Sequence, residues 1–544
     1  MSATQCAYYK NQRKVSRKIR FSVGLAYPKP HRELHKENQV VLKVRSQDQN
    51  QTLVPISYDI PDDASHGMKG GILSPVGSLD IIRWPQNALT ADSMIPNGGA
   101  YPKDFDLASL KSPSLSPSVL YSLNENEVLD LWKASPVRSP FHLPLYDSPR
   151  VVLPIALNET EMSYFDYYCS HVANEISIVP GELNYFLKVF LPMALKNEGV
   201  LACLIAWGCI FKNNKSRTTI DELWIQRAML YVKKSQETHG LTGEVFLTSF
   251  ACYMILVCLE VSVGDTDAWS RFLTCGYDLI NSFGRGFAVL ENFSTEGHLL
   301  ADNFAYFDIL ASQSHDNGTY YGVEEYADTH NTNQDGTMFD SLQGCIRPLI
   351  LKLGDVVNLV RNMKLIREAN DITDDQRVSM LTSVLERATE LDLEVENSKL
   401  NASDFDNLVR GDVPLEHHLT LFELFQLAIQ IHLRQAVRRL PPIVPEIQCL
   451  LYRMKSCLKV IINSSVKSSL CFPLLIAGLS CVKQTDRDEI RGLINALISR
   501  YEFSSINKAM LVLEEVWRLN MDGAICVDWF KITKQFGWRL NLGR

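Results

Sequence analysis

Thirteen cysteines and twelve histidines could supply several metal sites or nucleophiles, and their spacing decides whether they do. The cysteines stand at 6, 169, 203, 209, 252, 258, 275, 345, 449, 457, 471, 481 and 526, mostly inside apolar runs. Cys203 with Cys209, and Cys252 with Cys258, are spaced so that a helix sets each pair about 240° apart, on different faces. Scattered thiols of this kind read as small hydrophobes in a cytosolic or nuclear protein. His417 and His418 are adjacent, diverge on a helix, and make poor co-ligands; no H-E-x-x-H occurs. Asp374 and Asp375 lack the third carboxylate of an aspartate-rich magnesium motif. Gly284 and Gly286 form G-x-G without a third glycine or a βαβ setting, and neither G-x-x-x-x-G-K-[ST] nor G-x-S-x-G is present. Together these patterns argue against an enzyme. A helical enzyme whose catalytic residues are dispersed along the chain is the one kind that escapes such a search.

Charge offers a second kind of chemistry. Residues 1–45 carry eleven Lys and Arg against Glu33 and Glu37, although the whole chain is at -8. Lys10, Arg13, Lys14, Arg17, Lys18 and Arg20 form a run able to neutralise phosphates; a nuclear-import signal and a solvated tail fit it equally well. Further on, Asn124 to Trp132 (NENEVLDLW) interleaves Glu125, Glu127 and Asp130 with Leu129, Leu131 and Trp132. Acid alternating with large apolar groups is a composition of segments that fold on a partner, such as transcription machinery. An isolated helical turn docked on the main domain has the same composition.

The elements that must position these groups divide the chain in three. Residues 1–45 are the basic segment. Residues 46–158 hold thirteen of the 23 prolines and an excess of Asp and Glu over Lys and Arg, so a disordered Pro-rich acidic linker is expected. Residues 159–544 hold eight prolines, and apolar positions recur at helical spacing for most of their length. Val378, Leu381, Val384, Leu385, Ala388 and Leu391 make one stripe. Leu421, Leu424, Phe425, Ala428, Ile431 and Val437 make another, and Ile506, Ala509, Met510, Leu513, Val516 and Trp517 a third. Breakers fall at Gly240 and Gly243, at Gly284 and Gly286, in the polar run 312–337, and at Pro441, Pro442 and Pro445. No alternating strand pattern of useful length is seen, so an all-α multi-helix domain is expected. The run Val245 to Val263 has Glu260 as its sole charge and is long enough to span a bilayer. Its Thr248, Ser249 and Glu260 and the apolar helices around it favour a buried core helix, with no membrane partner.

Several of these helical segments resemble the fungal-specific transcription factor domain of the zinc-cluster regulators. The resemblance rests on Tyr167 to Gly208 (YYCSHVANEISIVPGELNYFLKVFLPMALKNEGVLACLIAWG), on GDTDAWSRFLTCGYDLI from Gly264 and on GCIRPLILKLGDVVNLV from Gly344. SLCFPLLIAGLSCVKQTDRDEI from Ser469 and VWRLNMDG from Val516 extend it, so that it covers about two thirds of the chain. It implies a nuclear, DNA-binding, homodimeric regulator of RNA polymerase II genes whose helical domain acts as a regulatory module, responsive to nutrients and able to bind a small metabolite.

The family reads DNA with a binuclear zinc cluster of six cysteines, and here the first 168 residues contain Cys6 alone. CAYY followed by KNQRKVSRKIRFSVGLA is similar to the segment after the family's sixth ligand. That makes Cys6 the candidate remaining metal ligand, with the basic run contacting phosphates beside the reader. A start placed too far downstream, a form without the cluster, and chance placement of Cys6 all account for this. As it stands the chain is expected to bind no zinc, the metal belonging to full-length relatives, and DNA binding is conditional on a cluster upstream of Cys6. The alternative is a helical protein-interaction scaffold that binds no DNA.

Overall fold

Several helix starts in this chain are written by side chains that take up otherwise orphaned N–H groups. The computed structural model describes residues 153–543 except 285, 294, 314–316, 329–340, 401–404, 407, 410–413 and 502–503. Asn158 Oδ1 accepts from the Glu161 amide at 2.9 Å while Glu161 returns a carboxylate to the Asn158 amide at 2.8 Å. This reciprocal box opens α1 (Glu159–Tyr167). Asn197 caps α2 (Glu198–Lys212), Thr218 with Asp221 boxes α3 (Thr219–His239), and Thr242 caps α4 (Gly243–Ser262). Gly240 and Gly284, at φ +65° and +86°, turn the chain out of α3 and α5 (Ala268–Phe283), where a Cβ would be strained. Then follow α6 (Thr295–Ser312), α7 (Arg347–Glu368), α8 (Asp374–Glu396) and α9 (Leu415–Ala436). The last stretch holds α10 (Pro445–Ile461), α11 (Cys471–Leu479), α12 (Gln484–Tyr501), α13 (Ser504–Leu519) and α14 (Trp529–Gln535). The class is all-α, as the periodicity predicts, and no strand occurs among the described residues.

Helices that are apolar on every side become the axis on which the rest are laid. In α2, α4, α6 and α11 nearly every residue is buried. α2 packs between α1, α3 and α4; α4 packs on α5 and α6; α6 packs on α7. From there α7 packs on α8 and α9, α9 on α10 and α11, and α11 on α13. One contiguous apolar core runs through all of them. The C-terminal strip returns to the first half, where Asn541 Nδ2 donates to Phe307 O at 3.1 Å and Trp269 Nε1 donates to Arg539 O at 3.2 Å.

α4 is, among the described residues, the one helix long and apolar enough to cross a membrane, and 89% of its most apolar window lies inside the fold. Its single charged group near the end, Glu260, pairs with Arg217, which also meets Asp221 at 3.3 Å. The expectation of a buried core helix is therefore met. Two readings need correction. Val378, at the start of its stripe, is exposed, because the stripe only meets a neighbour from Leu381 onward. The polar run 312–337 is not only a breaker, since Val323–Asp328 forms a short helix whose Tyr326 is fully buried.

Candidate functional site

His432 sits one turn before the end of α9, where an apolar stripe would ordinarily place another aliphatic group. Its ring separates two small cavities and meets Phe472 edge-on at 5.9 Å. Phe530 of α14 forms the other side of the partition, lining both cavities. The first cavity, about 40 Å³, lies between the end of α9, the end of α13 and residues 526–530. The second, about 20 Å³, is closed by the end of α6 and the middle of α7. By the room one water needs, these volumes correspond to roughly three waters and one or two.

The walls mix hydrocarbon with a few polar groups, the usual chemistry of a ligand pocket. Burial, and then the Arg439 charge, pushes His432 down to about 4, so the imidazole is neutral at neutral pH. Arg439 follows α9 in left-handed backbone at φ +60° and lines the first cavity. Burial lowers its pKa, while Cys526 and Asp528, also in the lining, act in the opposite direction. Cys526 donates its thiol to Gln435 O at 3.2 Å, and burial raises its pKa, which keeps it a thiol rather than a nucleophilic thiolate. In the second cavity Gln313 is fully buried; its Nε2 donates to Ile309 O at 3.0 Å and its Oε1 meets no donor.

One turn along α7 from the cavity-lining Lys364 stands Arg367. Burial and then the like charge of Arg439 lower its pKa, and its Nη2 is buried without a hydrogen-bond partner. Elsewhere on α6, Asp308 is fully buried and accepts from Tyr326 Oη at 2.6 Å and from the Tyr320 amide at 2.8 Å. Burial pushes its carboxyl up to about 7. A neutral imidazole, a protonated thiol and uncharged amides are suited to binding and orienting a small molecule. They do not form a nucleophile with its base.

The residues singled out in the sequence fall elsewhere. Cys6, Lys10, Arg13, Lys14, Arg17, Lys18 and Arg20, and the segment Glu125, Glu127, Leu129, Asp130, Leu131 and Trp132, lie outside the described residues. Cys203 and Cys252 lie buried at the α2–α4 contact, where Cys203 Sγ approaches Cys252 O at 3.8 Å. Asp374 and Asp375 occupy the first turn of α8, beside its Thr373–Gln376 capping box. No group of three or more metal-ligating side chains occurs among the described residues. His432, Arg439, Arg367 and Gln313 escaped sequence reasoning, the only signal being polar groups set in otherwise apolar helical stretches.

Residues 163–543 match the family model described as the fungal specific transcription factor domain. A curated relative, an uncharacterized transcriptional regulatory protein of Schizosaccharomyces pombe, is 34% identical over 457 residues, covering 81% of this chain and 85% of its own. The transcriptional activator protein UGA3 of Saccharomyces cerevisiae is 26% identical over 432 residues, covering 71% of this chain and 78% of its own. No solved structure matches.

Proposed function

This chain belongs to the fungal-specific transcription factor domain family, whose members here are transcriptional regulators and not enzymes, and from that premise we propose a nuclear, nutrient-responsive regulator of RNA polymerase II genes. The observation that carries the reading is the reach of the family match, which takes in almost the whole described helical body. In this proposal that body is the regulatory module, and residues 124–132 engage transcription machinery through their acidic and apolar groups. Where a zinc cluster lies upstream of Cys6, Cys6 is its last ligand, the protein acts as a homodimer on DNA, and Lys10, Arg13, Lys14, Arg17, Lys18 and Arg20 contact phosphates next to it. Six such contacts give a slope of about -5 in log affinity against log salt, and replacing the six by alanine flattens it.

The test is a fusion of the full chain to a foreign DNA-binding domain, read on a reporter in several nutrient media, with a fluorescent tag reporting location. Activation or repression from the fusion, with nuclear fluorescence, is expected. A silent reporter together with exclusion from the nucleus in every medium overturns the proposal and favours a cytoplasmic scaffold.

A further inference from the structure

α8 lies at the edge of the fold, packed on α7 and α9, and its outer arc runs through exposed Asp375, Ser379, Glu386, Glu390 and Leu393. Charge along that arc is of one sign, because the basic groups nearby are engaged elsewhere. Arg377 turns inward, its guanidinium donating to Arg367 O at 3.0 Å and to Ala369 O at 2.7 Å. Arg387 meets Glu390 at 3.3 Å and Glu394 at 2.6 Å. Arg438, at the rim, donates to Thr389 Oγ1 at 3.2 Å and reaches Asp392 at 3.7 Å. Asp374, Asp375, Glu386 and Glu396 are left with no ion pair among the described residues. The first two suit the N-terminus of a helix, but Glu394 and Glu396 stand in a last turn that holds no basic residue, where the helix dipole favours cations. Lys352 and Arg387 compensate Glu394, and Glu396 has no such partner. Leu393, one helical turn from Glu390, is 55% exposed. A helix face that opposes its own dipole and keeps a large apolar group in water suits a cationic partner carrying some apolar side chains.

The chain itself carries a segment of that chemistry. Lys10, Arg13, Lys14, Arg17, Lys18 and Arg20 fall within eleven residues that hold no acid, and Val15, Ile19 and Phe21 are set among or beside them. Lengths agree as well as charges. Ten extended steps from Lys10 to Arg20 span about 33 Å, and the rise along α8 from Asp375 to Glu396 is about 32 Å.

We propose that residues 10–21 of this chain dock along the outer face of α8, the six basic side chains against Asp374, Asp375, Glu386, Glu390 and Glu396 and the apolar ones against Leu393. The same six side chains cannot face carboxylates and phosphates at once, so the helical body withholds them from polyanions until a polyanion outcompetes it. The contact is read without DNA, and its failure leaves the regulatory role as it stands. Purified full chain is prepared in dilute solution with the photo-crosslinker p-benzoylphenylalanine in place of Glu386 or, in a second protein, of Leu393. Irradiation followed by digestion and mass spectrometry joins both positions to peptides containing part of residues 10–21. The yield falls at least about fivefold when salt rises from about 50 mM to about 500 mM. Glu386→Lys together with Glu390→Lys, both exposed, lowers the yield from position 393 by a similar factor with the circular-dichroism spectrum unchanged. A mixture of 15N-labelled and unlabelled chains gives adducts carrying one label only, as a contact within one chain requires. No adduct, an adduct to another segment, an adduct carrying both labels, or a yield indifferent to salt or to the charge reversal overturns the proposal. Should the double variant misfold, the salt and isotope measurements on the unreversed chain decide it.

Discussion

Asp308→Asn isolates one buried carboxyl that ties α6 to Tyr320 and Tyr326. Burial sets Asp308 at about 7 in the folded protein against 3.8 for the free side chain. Between those values the folded state holds a proton that the unfolded state has released, so stability falls as pH rises from about 4 to about 7 and is level outside that window. The full span is about 4 kcal/mol, of which more than half is lost between pH 5 and pH 8. For a helical body of about 390 residues that loss corresponds to a fall in Tm of about 3 °C. Asparagine keeps the oxygen that accepts from Tyr326 Oη and the Tyr320 amide, and it removes the titration. Thermal unfolding of both proteins across pH 5 to 8 is the assay. The variant gains on the wild type as pH rises, the difference changing by about 3 °C. Parallel profiles, or a difference of opposite slope, refute the reasoning.

Three further perturbations follow from contacts already described. Gly208→Ala places a methyl 2.0 Å from the Tyr164 carbonyl oxygen, which only backbone movement relieves, so α1 separates from α2 at a cost of about 3 kcal/mol, read by denaturant unfolding. Glu260→Gln leaves Arg217 with Asp221 alone in a largely buried position and costs about 2 kcal/mol by the same measurement; an unchanged midpoint would show the pair to be energetically silent. Asn541→Ala removes the buried bond to Phe307 O and the acceptor for the Gly543 amide, at about 2 kcal/mol. Hydrogen exchange should show faster opening at residues 538–543 in that variant than in the wild type.

Much of the architecture was legible because helical burial leaves a local record. The α9 stripe from Leu421 to Ile431 is buried as its spacing requires, and so is the α13 stripe from Ile506 to Trp517 apart from half-buried Met510. Thr218, Thr242 and Thr373 cap helices where a short hydroxyl side chain precedes an apolar run. The core assignment of α4 followed from its own composition, and the motif order from Tyr167 to Gly523 carried the family. Val378 shows the limit of that record, for a stripe says which face is apolar but not where along the helix a neighbour begins.

The cavity belongs to the other category. Gln313, His432, Arg439 and Phe530 are spread over more than two hundred residues, and each sits in a stretch that periodicity reads as ordinary helix or loop. Whether a buried polar group is satisfied, strained or waiting for a ligand depends on what the opposing helices present, and sequence spacing within one helix holds no information about that. The sequence by itself determined the helical class and the family. The depressed imidazole of His432 exists only because α6, α7, α9 and the 526–530 segment converge and exclude water around it, and the raised carboxyl of Asp308 only because Tyr320 and Tyr326 bury it against α6.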